Sequence, residues 1–290
     1  MNSEAPVYYQ ESNQINGPKL AMAYVFCFLV AIVTAYVYML IVVMLPLVYI
    51  GCAMPIIFGG GLSFVVRFIT RLTHNRNLKS RCVLAVTMGL FLTYFQWVIF
   101  LMYAYDLRLP SFGTYLINIG LPFYMEGTWA FIVEINEVGL WEVFGEVING
   151  SFLTIIWVLE FLILMFFLLI HTISVRAYPY AEDKEQWYKK YTLEDDYKIG
   201  GSIKLTAGLN EDAYKTIKEL GYGQGNRHAK IHLYYLERSS YHYLDVERIM
   251  INKDAKREAD LLIEAIRIDN KTAKSLLDNF EHKQERIEII

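Results

Sequence analysis

The sequence predicts an α-helical membrane protein, a four-transmembrane-helix bundle with a small C-terminal α+β cytoplasmic domain. Three observations lead there. Of 290 residues 55% are apolar and only 20% charged, too apolar for one water-soluble domain and too charged to lie wholly in lipid. Leu20 to Val66, Cys82 to Ala104 and Ser151 to Val175 carry almost no charge. Basic residues gather in one short connection between them.

The first 19 positions are polar, with Glu4, Glu11, Asn13 and Asn16. No short basic region precedes a small-residue cleavage site, so residues 1–19 read as an N-terminal tail and the first span as a retained anchor. As one helix, Leu20 to Val66 would be about 70 Å long, over twice the hydrocarbon thickness of a bilayer. It therefore holds two spans. Pro46 lies near its middle and has no N–H to donate, which places the hairpin at Val42 to Tyr49 and the spans at 20–41 and 50–70. Spans at 82–104 and 151–175 complete a transmembrane domain of residues 20–176. Cys27, Cys52 and Cys82 all fall in or beside spans, where they act as small apolar residues rather than as a disulfide framework.

Orientation follows from the charges. The connection between the second and third spans carries Arg67, Arg71, Arg76, Lys79 and Arg81 without an acid, and short loops rich in Lys and Arg stay in the cytoplasm. The connection 105–150 has Arg108 against Asp106, Glu126, Glu134, Glu137, Glu142 and Glu146, which suits the outer face. Both termini are then cytoplasmic. The outer segment is amphipathic: Trp129, Ile132, Ile135 and Val138 share a helical stripe. Two readings stand, one or two short helices lying on the outer surface with Trp129 and Trp141 at headgroup level, and a segment dipping toward a pore. The surface cap is preferred.

Polar residues inside the spans are the candidate functional groups. Glu160 lies well inside the fourth span, where an acid costs about 2.5–3.5 kcal/mol on insertion scales. Gln96, on a span running the other way, reaches nearly the same depth, so the two are expected to face each other in the bundle interior, bonded directly or through water. Glu160 then has three readings: a protonated group joining helices, a step in an ion or proton pathway through an oligomer, or a catalytic acid. The last lacks a second titrating group, since an amide does not titrate. Gly59, Gly60 and Gly61, just after Pro55, suit close helix packing or a hinge. His171 reads as an interfacial residue.

Residues 177–290 form the cytoplasmic domain. Pro179 ends the last span. Glu182 to Tyr191 reads as a short helix with acids first and bases last. Ser202 to Thr206 alternates like a strand, and Asn210 caps a helix to Leu220 that buries Ala213, Ile217 and Leu220. Gly221 to Asn226 is a glycine-rich turn; Ala229 to Leu236 and Tyr241 to Ile251 are paired strands. Lys253 to Ile266 reads as helix, and Asn270 or Thr272 starts a final helix to Phe280. This order suggests helices over one face of an antiparallel sheet, resembling half of a ferredoxin-like fold.

Arg227, His228 and Lys230 follow the glycine loop and make a candidate cradle for a small anionic ligand such as a phosphate, though without the Lys-Ser/Thr ending of a phosphate-binding loop. His228 and His232, four apart on an expected strand, share a face, and His242 could join them from the neighbouring strand. No cysteine or well-spaced carboxylate completes a metal set, so they read as structural and no metal or cofactor is expected. From Arg176 onward 20 basic residues stand against 21 acidic ones, with no polybasic run for a nucleic acid duplex.

Gly139–Leu140–Trp141–Glu142, Val147–Ile148–Asn149–Gly150 and Ile156–Trp157–Val158–Leu159–Glu160, with Phe58–Gly59–Gly60–Gly61 and the Arg76–Asn77 loop, resemble a group of uncharacterised four-span bacterial membrane proteins that pair such a bundle with a variable cytoplasmic tail. The resemblance implies the topology and a bacterial inner (plasma) membrane, and no activity. No nucleophile elbow, zinc-protease motif or catalytic triad spacing occurs. The expectation is a non-enzymatic protein of the lipid bilayer. It is read as a homo-oligomer, channel-like or membrane-effector, controlled by a ligand or protein partner at the cytoplasmic domain. The alternative is a structural scaffold or partner-recruiting subunit.

Overall fold

The computed structural model describes residues 5–44, 48–106, 108–120, 127–139, 141–143, 145–174, 178–199, 201–223, 226–252 and 256–285. The chain divides into two compact units, Ser12–Arg176 and Met1–Glu11 with Ala177–Ile289.

The first unit runs α1 (Gly17–Met44), α2 (Val48–Leu72), α3 (Leu78–Asp106), α4 (Phe112–Ile117), α5 (Thr128–Val138), a hairpin of β1 (Trp141–Val143) and β2 (Glu146–Ile148), and α6 (Gly150–Ile173). Four of its helices, α1, α2, α3 and α6, are long and apolar enough to cross a membrane. Their surface agrees: Met22, Leu29 and Val33 on α1 and Phe152, Leu162 and Phe166 on α6 are more than half exposed, a pattern that water would penalise and lipid favours. Residues 45–47, at the centre of the expected first hairpin, lie outside the described residues. Caps explain where two spans begin. Asn16 Oδ1 accepts the Lys19 amide at 3.1 Å and Asn77 Oδ1 accepts that of Ser80 at 2.9 Å. The helices therefore start at Gly17 and Leu78, earlier than loss of charge alone suggests.

Helix α1 packs on α3, α2 on α6, and α3 on α6. Ala23, Cys27, Ala31 and Ala35 recur every fourth position along the buried side of α1, letting its backbone approach Ala85, Met88, Leu92 and Ile99 of α3 within one core. Gly59 plays the same part on α2, since a β-carbon there would stand 2.7 Å from the Leu164 carbonyl oxygen of α6. Gly60 and Gly61 have open space where a β-carbon would go. The helix runs unbroken through them and through Pro55.

The connection between α3 and α6 departs from the preferred surface cap. Its first part turns back alongside the spans: the Tyr115 hydroxyl, fully buried, donates to the Ile32 carbonyl at 3.2 Å, and Ile32 lies near the middle of α1. Tyr36 donates to the Pro110 carbonyl at 3.0 Å and Tyr94 to the Ile119 carbonyl at 2.7 Å. Tyr94 is 12 residues before the end of α3 at Asp106, about 18 Å along the axis. At such depth irregular backbone needs protein partners in place of water, and the tyrosine hydroxyls supply them. Farther on, α5 keeps Trp129 and Val138 exposed and is joined to α6 by Asn136 Nδ2 donating to Thr154 Oγ1 at 3.1 Å. Leu140 and the side chain of Trp141 lie outside the described residues.

The second unit contains a hairpin of β3 (Tyr180–Ala181) and β4 (Gln186–Trp187), then β5 (Lys189–Leu193), α7 (Ser202–Leu220), β6 (Arg227–Tyr235), β7 (Tyr241–Ile251), β8 (Arg257–Asp269), α8 (Asn270–Asn279) and β9 (His282–Glu285). One antiparallel sheet has the order β8-β7-β6-β5-β9, and α7 and α8 bury Leu205, Leu209, Ile217, Ala273 and Leu276 against it.

Three expectations are corrected. The helix expected over Glu182–Tyr191 is turn and strand, because Tyr180, Ala181 and Tyr188 are the buried positions and the acids occupy the turn. The strand expected at Ser202–Thr206 belongs to α7, whose stripe is Leu205, Leu209, Ala213 and Ile217 while Ile203 is 87% exposed. The break in that helix falls at Asp212, φ −153° and ψ 94°, where Asp212 Oδ1 caps the Lys215 amide at 2.9 Å. The helix expected over Lys253–Ile266 is β8. Good helix formers lose there to the β7 ladder, which buries Ile263, Ile266 and Ile268; residues 253–255 lie outside the described residues.

The N-terminal stretch is part of this unit, not a separate tail. The Tyr9 amide donates to the Ala265 carbonyl at 2.9 Å and the Arg267 amide to the Val7 carbonyl at 2.8 Å, so residues 7–9 cover the β8 edge. Ala265 has a positive φ of 45° at an irregular register of the ladder, and the buried Asp245 carboxylate accepts its amide at 2.7 Å.

Candidate functional site

Glu160 lies ten residues into α6 from Gly150 and Gln96 ten residues before the end of α3 at Asp106. Since these helices run in opposite directions, each residue is about 15 Å from the helix end at the α3–α6 connection. Both line one cavity of about 170 Å³ within the bundle. Tyr38, Met39 and Val43 of α1, Pro55 of α2, Thr93, Trp97, Phe100 and Tyr103 of α3, and Trp157 and Phe161 of α6 form the rest of its principal wall. Helices α1 and α6 share no substantial contact, and the cavity occupies the space between them.

Three of these rings form one edge-to-face cluster on the wall. Trp97 meets Trp157 edge-on, centroids 5.0 Å apart and planes at 80°. Phe100 stands 5.4 Å from Trp97 at 88° and 6.4 Å from Trp157 at 76°. Trp157 precedes Glu160 by three positions, so one turn of α6 presents a ring beside the acid; on α3, Gln96 and Trp97 both reach the cavity from consecutive positions. Gln96 Nε2 is buried and makes no hydrogen bond, to Glu160 or to any other group. The two residues, expected to bond directly or through water, share a wall without the direct bond, and the Gln96 amide donor has no protein acceptor. Toward the α2–α3 connection the bundle is filled: Leu62, Val66, Ile69, Leu84, Met88 and Leu168 are at most 3% exposed. The cavity therefore does not continue through that half of the bundle.

The second candidate, the anion cradle, is differently made. The Lys230 ammonium is 2.7 Å from an Asp196 carboxylate oxygen and donates to the Glu194 carbonyl at 2.6 Å. The His228 ring nitrogen is 3.7 Å from the same carboxylate. Only Arg227, exposed at the start of β6, points to an open surface, so the expected cradle is largely satisfied by acidic and carbonyl groups of the protein. Gln224 and Gly225 of the glycine loop lie outside the described residues.

The remaining histidines are held within the sheet. His232 lies between Thr192, whose Oγ1 is 2.7 Å from Nδ1, and Glu247, 3.4 Å from Nε2. Thr192 donates its own proton to Glu285 at 2.6 Å, so His232 Nδ1 must be the donor toward Thr192. The His232 bond holds the Glu247 carboxyl below its ordinary range. Burial would raise Glu285, but bonds from Lys190 and Thr192 outweigh it and keep that carboxyl low as well. His242 is fully buried, stacked on Tyr235 with centroids 4.6 Å apart. Its Nδ1 accepts the Leu236 amide, leaving Nε2–H to donate to Asn270 Oδ1 at 3.2 Å, the neutral tautomer. Among the described residues no group of three or more His, Cys, Asp or Glu side chains could hold a metal ion.

The equal depth of Glu160 and Gln96 could be counted from the sequence. The ring cluster could not, although Trp157-x-x-Glu160 and Gln96–Trp97-x-x-Phe100 are its trace, because helix rotation decides which rings meet. No family model, curated protein or solved structure matches the chain, so what the site does is to be read from these residues.

Proposed function

We propose that the protein is a non-enzymatic, multi-pass binding protein of the bacterial inner membrane whose four spans hold a small hydrogen-bonding amphiphile. The observation that carries this is the one-sided cavity with Glu160 and the partnerless Gln96 amide on its wall. A buried polar pair is costly in lipid unless something uses it, and apolar walls with a few converging polar groups are the ordinary make-up of a small-molecule site. The reading is non-catalytic because, among the described residues, no His, Lys, Cys, Asp or second Glu lines the cavity beside Glu160.

Both termini are placed in the cytoplasm. Two features support that: the arginine-rich connection between α2 and α3, and the pairing of residues 7–9 with β8, which puts the start of the chain and the C-terminal unit on one side, as an even number of crossings requires. The C-terminal unit would then be a module through which a protein partner or ligand responds to the membrane site. Conduction would have to run between copies of a homo-oligomer, since the inner half of each bundle is packed.

The test is binding in lipid nanodiscs. A panel of small amphiphiles, followed by tryptophan emission and thermal shift, should include members that give a saturable response, and Thr93→Phe, which fills the cavity, should abolish it. No saturable response from correctly assembled protein would overturn the proposal.

A further inference from the structure

Resting on that reading, we infer that the cavity selects an ammonium head group carrying a hydrogen-bond acceptor oxygen a short chain away, the chemistry shared by choline, ethanolamine and the lipids built on them.

Each part of the wall matches part of such a head. Trp97, Phe100 and Trp157 pack edge to face at 5.0–6.4 Å, and all three line the cavity, which gives it a continuous aromatic wall. Indole faces are the best aromatic partners for a cation, and boxes of rings are how proteins hold alkylated ammonium groups. Glu160 adds a carboxyl on the same cavity. An ammonium ion paired with its carboxylate leaves no net charge among the spans, whereas beside a neutral guest the group has to take up a proton to be uncharged. Among the described residues, no Lys, Arg or His lines the cavity to take the cation's place.

Gln96 supplies the second determinant. Its Nε2 is a buried donor without an acceptor, which a simple tetraalkylammonium ion would leave unsatisfied. A hydroxyl, ester or phosphate oxygen on the guest would satisfy it once the amide turns about its last side-chain bond toward the cavity that Gln96 lines.

Size restricts the guest further. A volume of about 170 Å³ is close to the ~150 Å³ of an engineered protein cavity that holds benzene. It takes a head of that bulk and leaves any acyl chain outside. The competing occupant is water, of which the same volume would hold about five or six molecules at ~30 Å³ each.

The experiment uses the full chain in nanodiscs of phosphatidylglycerol, whose head has no amine. Choline and ethanolamine are titrated against dimethylbutanol, the carbon isostere of choline, in protein whose Trp129, Trp141 and Trp187 are replaced by Phe, so that the emission read is that of Trp97 and Trp157. Choline should give saturable quenching at a concentration at least tenfold below any response to dimethylbutanol. Glu160→Gln should lose about tenfold in choline affinity. Should that variant fail to assemble, Trp157→Leu gives the same comparison from the ring side. In nanodiscs of phosphatidylcholine or phosphatidylethanolamine, loss of the response to free choline would identify the lipid head as occupant, and an unchanged response the free amino alcohol.

Equal binding of choline and dimethylbutanol, or unchanged choline binding by an assembled Glu160→Gln or Trp157→Leu protein, would overturn the ammonium inference while leaving an amphiphile site standing. Response to no member of the wider panel would remove both.

Discussion

The α-carbon of Gly59 faces the Leu164 carbonyl so closely that a β-carbon would lie 2.7 Å from that oxygen and 3.1 Å from the Phe167 β-carbon. The neighbour is backbone, which cannot swing away. Gly59→Ala should therefore push α2 from α6 and destabilise the bundle by about 1–3 kcal/mol, as overpacking does. Gly60→Ala meets nothing within 4 Å and should be neutral or stabilising by up to about 1 kcal/mol from helix propensity. Thermal unfolding of the two variants in one detergent makes the comparison; equal melting temperatures would refute the close crossing.

The hydroxyl of Tyr94 should matter for a reason unconnected with its ring. It satisfies the Ile119 carbonyl, whose segment turns back alongside the apolar helices. Tyr94→Phe keeps the packing and strands that oxygen, which should cost about 1–3 kcal/mol. Tyr105→Phe, at a position 76% exposed, is the control and should change little. Similar melting temperatures for both would mean that the segment around Ile119 finds solvent.

His242 should titrate below its ordinary 6.5, because burial disfavours the imidazolium more than the Asn270 bond favours it. The sign follows from linkage: a depressed folded-state value gives stability that is complete above 6.5 and falls as pH drops from there through the folded value, since the unfolded chain takes up the proton first. Ring NMR signals of histidine-labelled protein would show it, with His242→Gln identifying the resonance. A midpoint at or above 6.5 would contradict the neutral tautomer.

The membrane half of the molecule was legible in the sequence because lipid imposes one strong rule, and charge-free runs obey it. The C-terminal unit was harder. Residues 257–269 have the Arg, Glu, Ala and Leu content of a helix, yet they lie in the ladder with β7, where burial of Ile263 and Ile266 outweighs local preference. Glu182 to Tyr191 misled for a related reason: acids then bases resemble a helix with matched ends, but Tyr180 and Tyr188 are what the fold buries. The turn of residues 110–119 back among the spans depended on Tyr36, Tyr94 and Tyr115, which are far apart in sequence and carry no local signal.

The pairing of Tyr9 with Ala265 and of Val7 with Arg267 joins a segment ahead of the first apolar helix to a strand that follows the last one. Residues 7–9 therefore leave the ribosome long before the strand whose edge they cover. The leading segment has to wait while the four apolar helices are made, and only then closes the sheet. A purification tag fused ahead of Val7 would burden that last step, so fusions are better carried at the opposite end.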